Sequence, residues 1–278
     1  MVHLASESLQ TKMQPVNVGP MDIIPSWASV IYATADVQMD HFWYAIRAWG
    51  YGLQSQLIRS GMVFSFDELY RVCLESLFPI EGNRGLMRCP AMLIDSGHRT
   101  DEVYVFAHQR APRIIPIKGS STKMDKPWRS TVLTPRSTQQ PVDLRILDTV
   151  YYKDMLARLM TEKMPDGRDK WQLYDQTPQE YLRQLSSEHK VLDRRTGRPV
   201  WQPVTNGAAN HAWDLEVYQA AAADMGNVAC IPPQQVQPAA PVKPAPQPSR
   251  DTITREFDEA RNSLSGGGGS GWLDGRLI

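Results

Sequence analysis

The sequence has few cysteines and lacks the short motifs of several common kinds of site. Its three cysteines are far apart, odd in number and contain no CxxC pair, so neither a disulfide framework nor a zinc site is expected. No GxxxxGK(S/T), GxSxG or HExxH segment occurs. The sequence therefore shows no phosphate loop of an ATPase, no nucleophile elbow of an α/β-hydrolase and no zincin helix.

The chain also lacks an excess of one charge and any long apolar run. Lys and Arg number 30, as do Asp and Glu, so overall charge does not mark the chain for nucleic acid, although a local basic patch can still bind it. No apolar run of about 18 residues predicts a membrane helix. The first 13 residues carry Glu7 and other polar residues where a signal peptide needs an apolar core. We expect a protein of the host cytoplasm without a membrane partner.

The organisation along the chain follows from shifts in composition. A hydrophobic content of 42% over 278 residues is enough for one sizeable core with appendages. We expect a lead-in at 1–26 and one globular domain at 27–228. A proline-rich linker is expected at 229–248, and a short charged helix and disordered tail at 249–278.

Hydrophobic patterns predict an α/β domain with a mixed sheet flanked by helices. The order begins as three strands, helix, strand, helix and strand, which fits a sheet of this kind. A polar stretch at 119–147 is expected to be a long loop or an irregular hairpin. The predicted strands are 30–36, 41–50, 54–60, 91–95 and 113–117, with a hairpin at 190–204. The predicted helices are 66–77, 100–110, 150–160, 177–185 and 210–224.

Three aspartates occupy positions that suit metal chemistry. Asp36 and Asp95 each end a predicted strand, and Asp214 lies in the first turn of the last helix of the domain. Ligand sites in open α/β sheets gather at the carboxyl ends of strands, and Mg²⁺ and Mn²⁺ prefer carboxylate oxygens. Two such ions can activate water and stabilise a leaving oxygen in phosphodiester hydrolysis. Taken singly, an Asp after a strand, such as Asp36 or Asp95, is more often a turn residue, and Asp214 is equally explained by the dipole of its helix.

Basic and imidazole side chains supply candidate phosphate contacts. The simplest explanation for the basic residues is a solvated loop, whereas the functional one is contact with DNA phosphates that places the substrate without reading its bases. His98 and His211 lie within a few residues of the candidate acids. His98 or Lys118 would assist by contacting the phosphate. The candidate DNA-binding residues are Arg113, Lys118, Lys123, Lys126, Arg129, Arg194 and Arg195.

Several segments together resemble the nuclease domain of lambda-type terminase large subunits. Residues 34–38 (TADVQ) resemble its GVDVQ strand, and residues 49–52 (WGYG) resemble its WGxG turn. Residues 95–104 (DSGHRTDEVY) resemble its DSGGxxTxxVY stretch. Residues 147–154 (LDTVYYKD) resemble its GTDTxKD segment, and residues 210–221 resemble a helix that begins NEALD. These segments follow one another in the family's order.

The resemblance implies a ribonuclease H-like fold and a metal-dependent endonuclease that cuts concatemeric phage DNA during packaging. By matching position, Asp36, Asp95 and Asp214 would hold two Mg²⁺ or Mn²⁺ ions. The implied partners are double-stranded DNA, a separate ATPase domain or subunit, the small terminase subunit, and a portal or procapsid bound through the C-terminal tail.

Departures from the family pattern leave two alternatives open. His211 stands where the family has Glu, Ala209 stands where it often has Arg, and a glycine is missing after residue 97. These differences motivate a catalytically weak or inactive assembly module that binds the portal. A resolvase or integrase-like nuclease of the same fold is the other alternative.

Overall fold

The computed structural model describes residues 18–82, 84–120 and 122–232, and the fold below refers to these. Thirteen strands are assigned within them. They are β1 (Val18–Gly19), β2 (Ala28–Val37), β3 (Phe42–Gly50), β4 (Ser55–Val63), β5 (Phe78–Pro79), β6 (Leu86–Met87), β7 (Met92–Asp95), β8 (Ile114–Gly119), β9 (Trp128–Leu133), β10 (Val142–Leu147), β11 (Trp171–Tyr174), β12 (Glu188–Leu192) and β13 (Pro199–Pro203).

Five α-helices connect and cover these strands in the described residues. They are α1 (Phe66–Tyr70), α2 (Thr100–Gln109), α3 (Thr149–Leu159), α4 (Gln179–Leu185) and α5 (His211–Met225). A π-helical turn, Arg71–Glu75, continues α1, and short 3₁₀ turns lie at Tyr51–Leu53 and Val228–Cys230. No helix among these residues combines the length and apolar character needed to cross a bilayer.

Nine of the strands form one mixed sheet in the order β1-β11-β4-β3-β2-β7-β8-β10-β9. β2, β3 and β4 form an antiparallel meander, because each is joined to the next by a short turn. β7 lies parallel to β2, β8 parallel to β7 and β10 parallel to β8. The carboxyl ends of β2, β7, β8 and β10 therefore lie at one edge of the sheet.

Two hydrophobic cores cover the two faces of this sheet. Alternate residues of β2 and β7, including Ile31 and Ile94, pack with α1 and α2. The other residues of the same strands, including Tyr32 and Leu93, pack with α3, α4 and α5. The side chains of Thr34 and Asp36 follow Tyr32 on this second face, which places Asp36 under α5.

Helix α5 is fixed to the sheet by buried polar groups. Arg47 of β3 forms an ion pair of 2.7 Å with Glu216, and both side chains are fully buried. Tyr181 of α4 donates its hydroxyl proton to Glu216 at 2.6 Å. The Gln219 amide donates to the Tyr32 carbonyl at 2.9 Å. Buried polar groups need such partners, so these bonds set the position of α5.

The described elements confirm the predicted order and most of the predicted spans. The stretch 119–147 forms the antiparallel hairpin β9–β10, which extends the sheet beside β8. Strand β11 was not predicted. Residues 18–26 of the predicted lead-in pack onto the domain, since Asp22 pairs with Arg59 at 2.6 Å and Ile24 is fully buried. The predicted linker beyond 232 and the C-terminal helix lie outside the described residues.

Candidate functional site

Asp36 and Asp95 lie side by side at the carboxyl edge of the sheet. Ala35 of β2 pairs with Ile94 of the parallel strand β7, so the following residue on each strand is an aspartate. Alternation along both strands directs the two carboxyl groups to the face covered by α5. The Asp95 carboxylate accepts a hydrogen bond from the Gly97 backbone at 3.0 Å. The two strand ends that the sequence marks with an acid are therefore neighbours in space.

Asp214 reaches the same edge from the first turn of α5. The Thr34 hydroxyl donates to the Leu215 carbonyl at 3.1 Å, which fixes the start of this helix above β2. The Asn210 amide donates to the Asp214 carboxylate at 2.9 Å. The helix dipole also favours a negative charge at this position.

His211 occupies one side of the Asp36 carboxylate. Its Nδ1 lies 2.7 Å from Asp36 Oδ2, and the Gln38 amide donates to the same oxygen at 2.9 Å. The His211 ring stacks on Trp43 with centroids 5.5 Å apart and planes 11° apart. The ring is therefore held between an indole and a carboxylate, which orients Asp36.

Burial and mutual repulsion make the ionised acids costly. Burial raises the pKa of Asp95 to about 6, and the Asp36 charge contributes to the rise, while the Gly97 hydrogen bond opposes it. Burial raises the pKa of Asp214 to about 7, with Asp36, Glu188 and Asp95 contributing. These carboxyl groups therefore act on one another electrostatically, and a cation among them would relieve the cost.

Two charged residues join this acidic edge that the sequence analysis did not assign. Lys153 of α3 lowers the pKa of Asp214 against the effect of burial, and its ammonium group lies 2.6 Å from Glu188. Glu188 begins β12 and accepts a bond from the Asn210 amide at 3.5 Å. Lys153 falls in the segment that resembles the family, but no signal in the sequence marks Glu188.

As placed, the acids are spread rather than gathered. Among the described residues, no group of three or more His, Cys, Asp and Glu side chains stands ready to hold a metal ion. Asp36 is engaged by His211 and Gln38, Asp95 by a backbone amide, and Asp214 by Asn210. The acids lie at one edge of the sheet, and Asp36 adds to the effect of burial in raising the pKa values of the other two, but they do not form a preassembled three-ligand site.

The structure separates the candidate basic residues into three places. Four lie at or after the carboxyl end of β8, at the same edge of the sheet as Asp95, and two lie at the tip of the β12–β13 hairpin; all six are exposed. The four are Lys118, Lys123, Lys126 and Arg129, and the two are Arg194 and Arg195. By alternation, Lys118 faces away from the side that holds Ile117 and Asp95. His98 is exposed beside Asp95 and acts to lower its pKa.

Arg113 lies away from the acidic edge, and its prediction as a DNA contact is corrected to a structural role. It precedes β8, at the amino end of that strand and so at the opposite edge from Asp95. Its guanidinium donates to the carbonyls of Leu74 at 2.7 Å and Cys89 at 3.0 Å. These bonds tie the turn after α1 to the sheet, which is a structural role.

The chain is an α/β domain in which the edge of the sheet that carries the aspartates is flanked by exposed basic side chains. The family model described as "Terminase large subunit gpA, endonuclease domain" matches residues 2–235. The chain belongs to this family of terminase large subunit endonuclease domains. Membership supports a nuclease role in phage DNA packaging, with DNA as substrate and packaging proteins as partners in general. Neither a search of curated proteins nor a search of solved structures returns a match.

Proposed function

We propose that this chain is a divalent-metal-dependent DNA endonuclease of a phage packaging motor, with Asp36, Asp95 and Asp214 as the metal-holding residues. The observation that carries the proposal is that these three acids, distant in sequence, lie at the same edge of the sheet beside the start of α5. The pKa of Asp95 and that of Asp214 are raised in part by the other acids. Acids with strongly perturbed pKa values, as at Asp95 and Asp214, are typical of functional sites.

The donor set fits a hard cation. All three groups offer carboxylate oxygens, which Mg²⁺ and Mn²⁺ prefer, and the nearby Lys153 pairs with Glu188 rather than with Asp36 or Asp95. The side chains must leave their present partners to share a cation, because each acid is hydrogen-bonded elsewhere. When bound, two such ions supply Lewis-acid stabilisation of charge on the phosphodiester and lower the pKa of water.

The residues of the chain have distinct parts in this proposal. His211 and Gln38 orient the Asp36 carboxylate through their hydrogen bonds. Exposed His98, whose charge acts to lower the pKa of Asp95, would contact a phosphate held at that acid. The basic residues after the end of β8, which are Lys123, Lys126 and Arg129, and those at the hairpin tip hold the DNA backbone, as phosphate contacts do in proteins that do not read bases. Lys118 faces away from Asp95 and is not part of this group.

We also propose a ribonuclease H-like fold. Its support is the arrangement β4-β3-β2-β7-β8, in which an antiparallel meander is followed by two strands parallel to its first strand. Within the packaging motor, the separate ATPase, the small subunit and the portal would be partners. The tail proposed to dock on the portal lies outside the described residues.

Plasmid nicking tests the nuclease proposal. Wild-type protein should convert supercoiled plasmid to open circles with Mn²⁺ or Mg²⁺ and should be inactive with EDTA. Asp36→Ala, Asp95→Asn and Asp214→Asn should each lose at least about a hundredfold in rate, because the cation site loses a ligand. Asp166→Asn is the matched control, since Asp166 is an exposed acid that pairs with Arg168 away from the site. Unchanged activity in Asp36→Ala would contradict the assignment.

The second candidate is a nuclease-like assembly module without cleavage. The His211 bond to Asp36 and the spread acids favour it. Absence of nicking with every divalent cation, together with binding to purified portal, would establish this alternative. Isothermal titration with Mn²⁺ adds a readout independent of cleavage: the enzyme should bind Mn²⁺, and Asp95→Asn should bind it at least about tenfold more weakly.

A further inference from the structure

The hairpin β12–β13 stands apart from the main sheet and links the acidic edge to a basic tip. Its two strands pair only with each other, from Glu188 opposite Pro203 to Leu192 opposite Pro199. Glu188, at its base, shares the Asn210 amide with Asp214. Its tip is a tight turn in which the Asp193 side chain accepts bonds from the turn backbone. The tip carries three exposed arginines, Arg194, Arg195 and Arg198.

Two neighbouring residues of α3 with opposite charges hold this hairpin. Lys153 donates to Glu188 at 2.6 Å. Asp154 accepts from Lys190 at 2.6 Å and from the Trp201 indole at 2.9 Å. The two ion pairs have opposite polarity: Glu188 of the hairpin pairs with Lys153 of the helix, and Lys190 of the hairpin pairs with Asp154 of the helix. This arrangement fixes both the position and the register of β12 along α3.

An aromatic contact adds a third attachment, this time to α5. The Trp201 ring on β13 packs against the Trp213 ring with centroids 5.2 Å apart. Trp213 is fully buried and precedes Asp214 directly. The hairpin is thus attached to the helix that carries one of the acids. Displacement of the hairpin would break the contact with Trp213, which is next to Asp214.

We propose that the hairpin is a rigid arm that positions the DNA on the acids, and that Lys153 and Asp154 are the positioning residues that hold it. This inference rests on the proposed nuclease function. Five residues per strand span roughly 17 Å, and a DNA strand advances about 3.4 Å per nucleotide. With the arm lying along the duplex from its base at Glu188, the arginine tip would contact phosphates roughly five nucleotides from the bond that is cut.

Metal-free DNA binding tests the arm without requiring cleavage. Fluorescence anisotropy with a labelled duplex at several salt concentrations gives the slope of log K against log salt. The triple variant Arg194→Ala, Arg195→Ala, Arg198→Ala should lower the magnitude of that slope by about 0.9 for each phosphate that the arginines neutralise in wild type. An unchanged slope would overturn the arm as a DNA contact.

Single-turnover cleavage with Mn²⁺ tests the positioning residues. Asp154→Leu removes both bonds and should lower the maximal rate about tenfold or more, because a small misplacement of substrate is costly. Its DNA affinity should stay within about twofold of wild type, since the arginines remain. Asp154→Asn keeps an acceptor for Trp201, so its maximal rate should lie between those of wild type and Asp154→Leu. Asp154→Glu should retain the wild-type rate, and Asp166→Asn is the control.

The length of the substrate gives a further readout. Duplexes trimmed to fewer than roughly five base pairs on one side of the cut should be cleaved by wild type as slowly as by the triple arginine variant. Equal rates for Asp154→Leu and wild type on long duplexes would overturn the positioning role. If wild type cleaves nothing with any cation, the proposed nuclease function fails, and the salt slope alone then decides whether the arm binds DNA.

Discussion

Replacing Asp95 with asparagine should stabilise the folded protein at neutral pH while abolishing its activity. The pKa of Asp95 is raised from its ordinary 3.8 to about 6 by burial and by the Asp36 charge. At about 1.36 kcal/mol per pKa unit, ionising this group in the folded state costs about 3 kcal/mol more than in the unfolded state. Asp95 is partly exposed, so we expect a gain of about 1–3 kcal/mol for Asp95→Asn.

The sign of the pH dependence follows from linkage. Above the folded pKa, both states are ionised and the full penalty is present in wild type. Between the two pKa values, the folded state is protonated while the unfolded state is still ionised, and the penalty shrinks as pH falls. Below the unfolded value both states are protonated and the penalty is absent. The advantage of Asp95→Asn should therefore be largest above about pH 6 and vanish below about pH 4.

Urea unfolding at a series of pH values measures this difference. The midpoint of Asp95→Asn should exceed that of wild type at about pH 8 and converge with it by about pH 4, with m values unchanged. Asp166→Asn is the control of opposite sign, because a hydrogen bond from Arg168 lowers the pKa of Asp166. An Asp95→Asn protein no more stable than wild type at about pH 8, or a gain that does not depend on pH, would refute the reasoning.

Three further predictions concern the buried ion pair, the basic residues and the cation. Arg47→Met leaves the buried Glu216 charge without its cationic partner, and calorimetry should show a loss of about 3–5 kcal/mol. Neutralising Lys123, Lys126 and Arg129 together should lower the magnitude of the salt slope of DNA binding by about 0.9 per phosphate bound. Arg113→Ala should leave this slope unchanged and should lower the free energy of unfolding by about 1–3 kcal/mol. Mn²⁺ at about one hundred times its Kd should stabilise wild type by about 2.7 kcal/mol in thermal unfolding and Asp95→Asn much less; equal gains in both would contradict the metal site.

The sheet could be predicted largely from local patterns, and the reasons for the failures are physical. An acid stands at the end of β7 and one residue before the end of β2, each after an apolar run, so the carboxyl ends of both strands were visible in the sequence. Strand β11 has only four residues, all buried, and a run of this length shows no alternation that would distinguish it from a loop or a helix. Residues 18–26 contain prolines typical of a linker, but tertiary contacts hold them on the domain.

The site could be predicted only where strand direction determined it. The position of Asp36 beside Asp95 could be predicted because adjacent parallel strands bring their carboxyl ends together. Glu188 was missed because its place beside Asp214 depends on how the hairpin packs against α3. Arg113 was predicted to contact DNA because it is close in sequence to the other basic residues. Strand β8 lies between Arg113 and those residues, so Arg113 is at the opposite edge of the sheet. Distances along a sequence do not distinguish the two edges of a sheet.

The buried bonds of α5 have a consequence for how the acids adapt to a ligand. Glu216 and Gln219 hold this helix to β2 and β3 close to Asp214, so the helix cannot slide without exposing a charge. Asp214 is thus a fixed reference point. At the proposed metal site, the adjustment that would gather the carboxylates falls to side-chain rotation and to the turn at 97–99, where Arg99 has a left-handed φ of 47°. If the proposed site binds a cation, engineering of cation preference should therefore begin in that turn rather than in the helix.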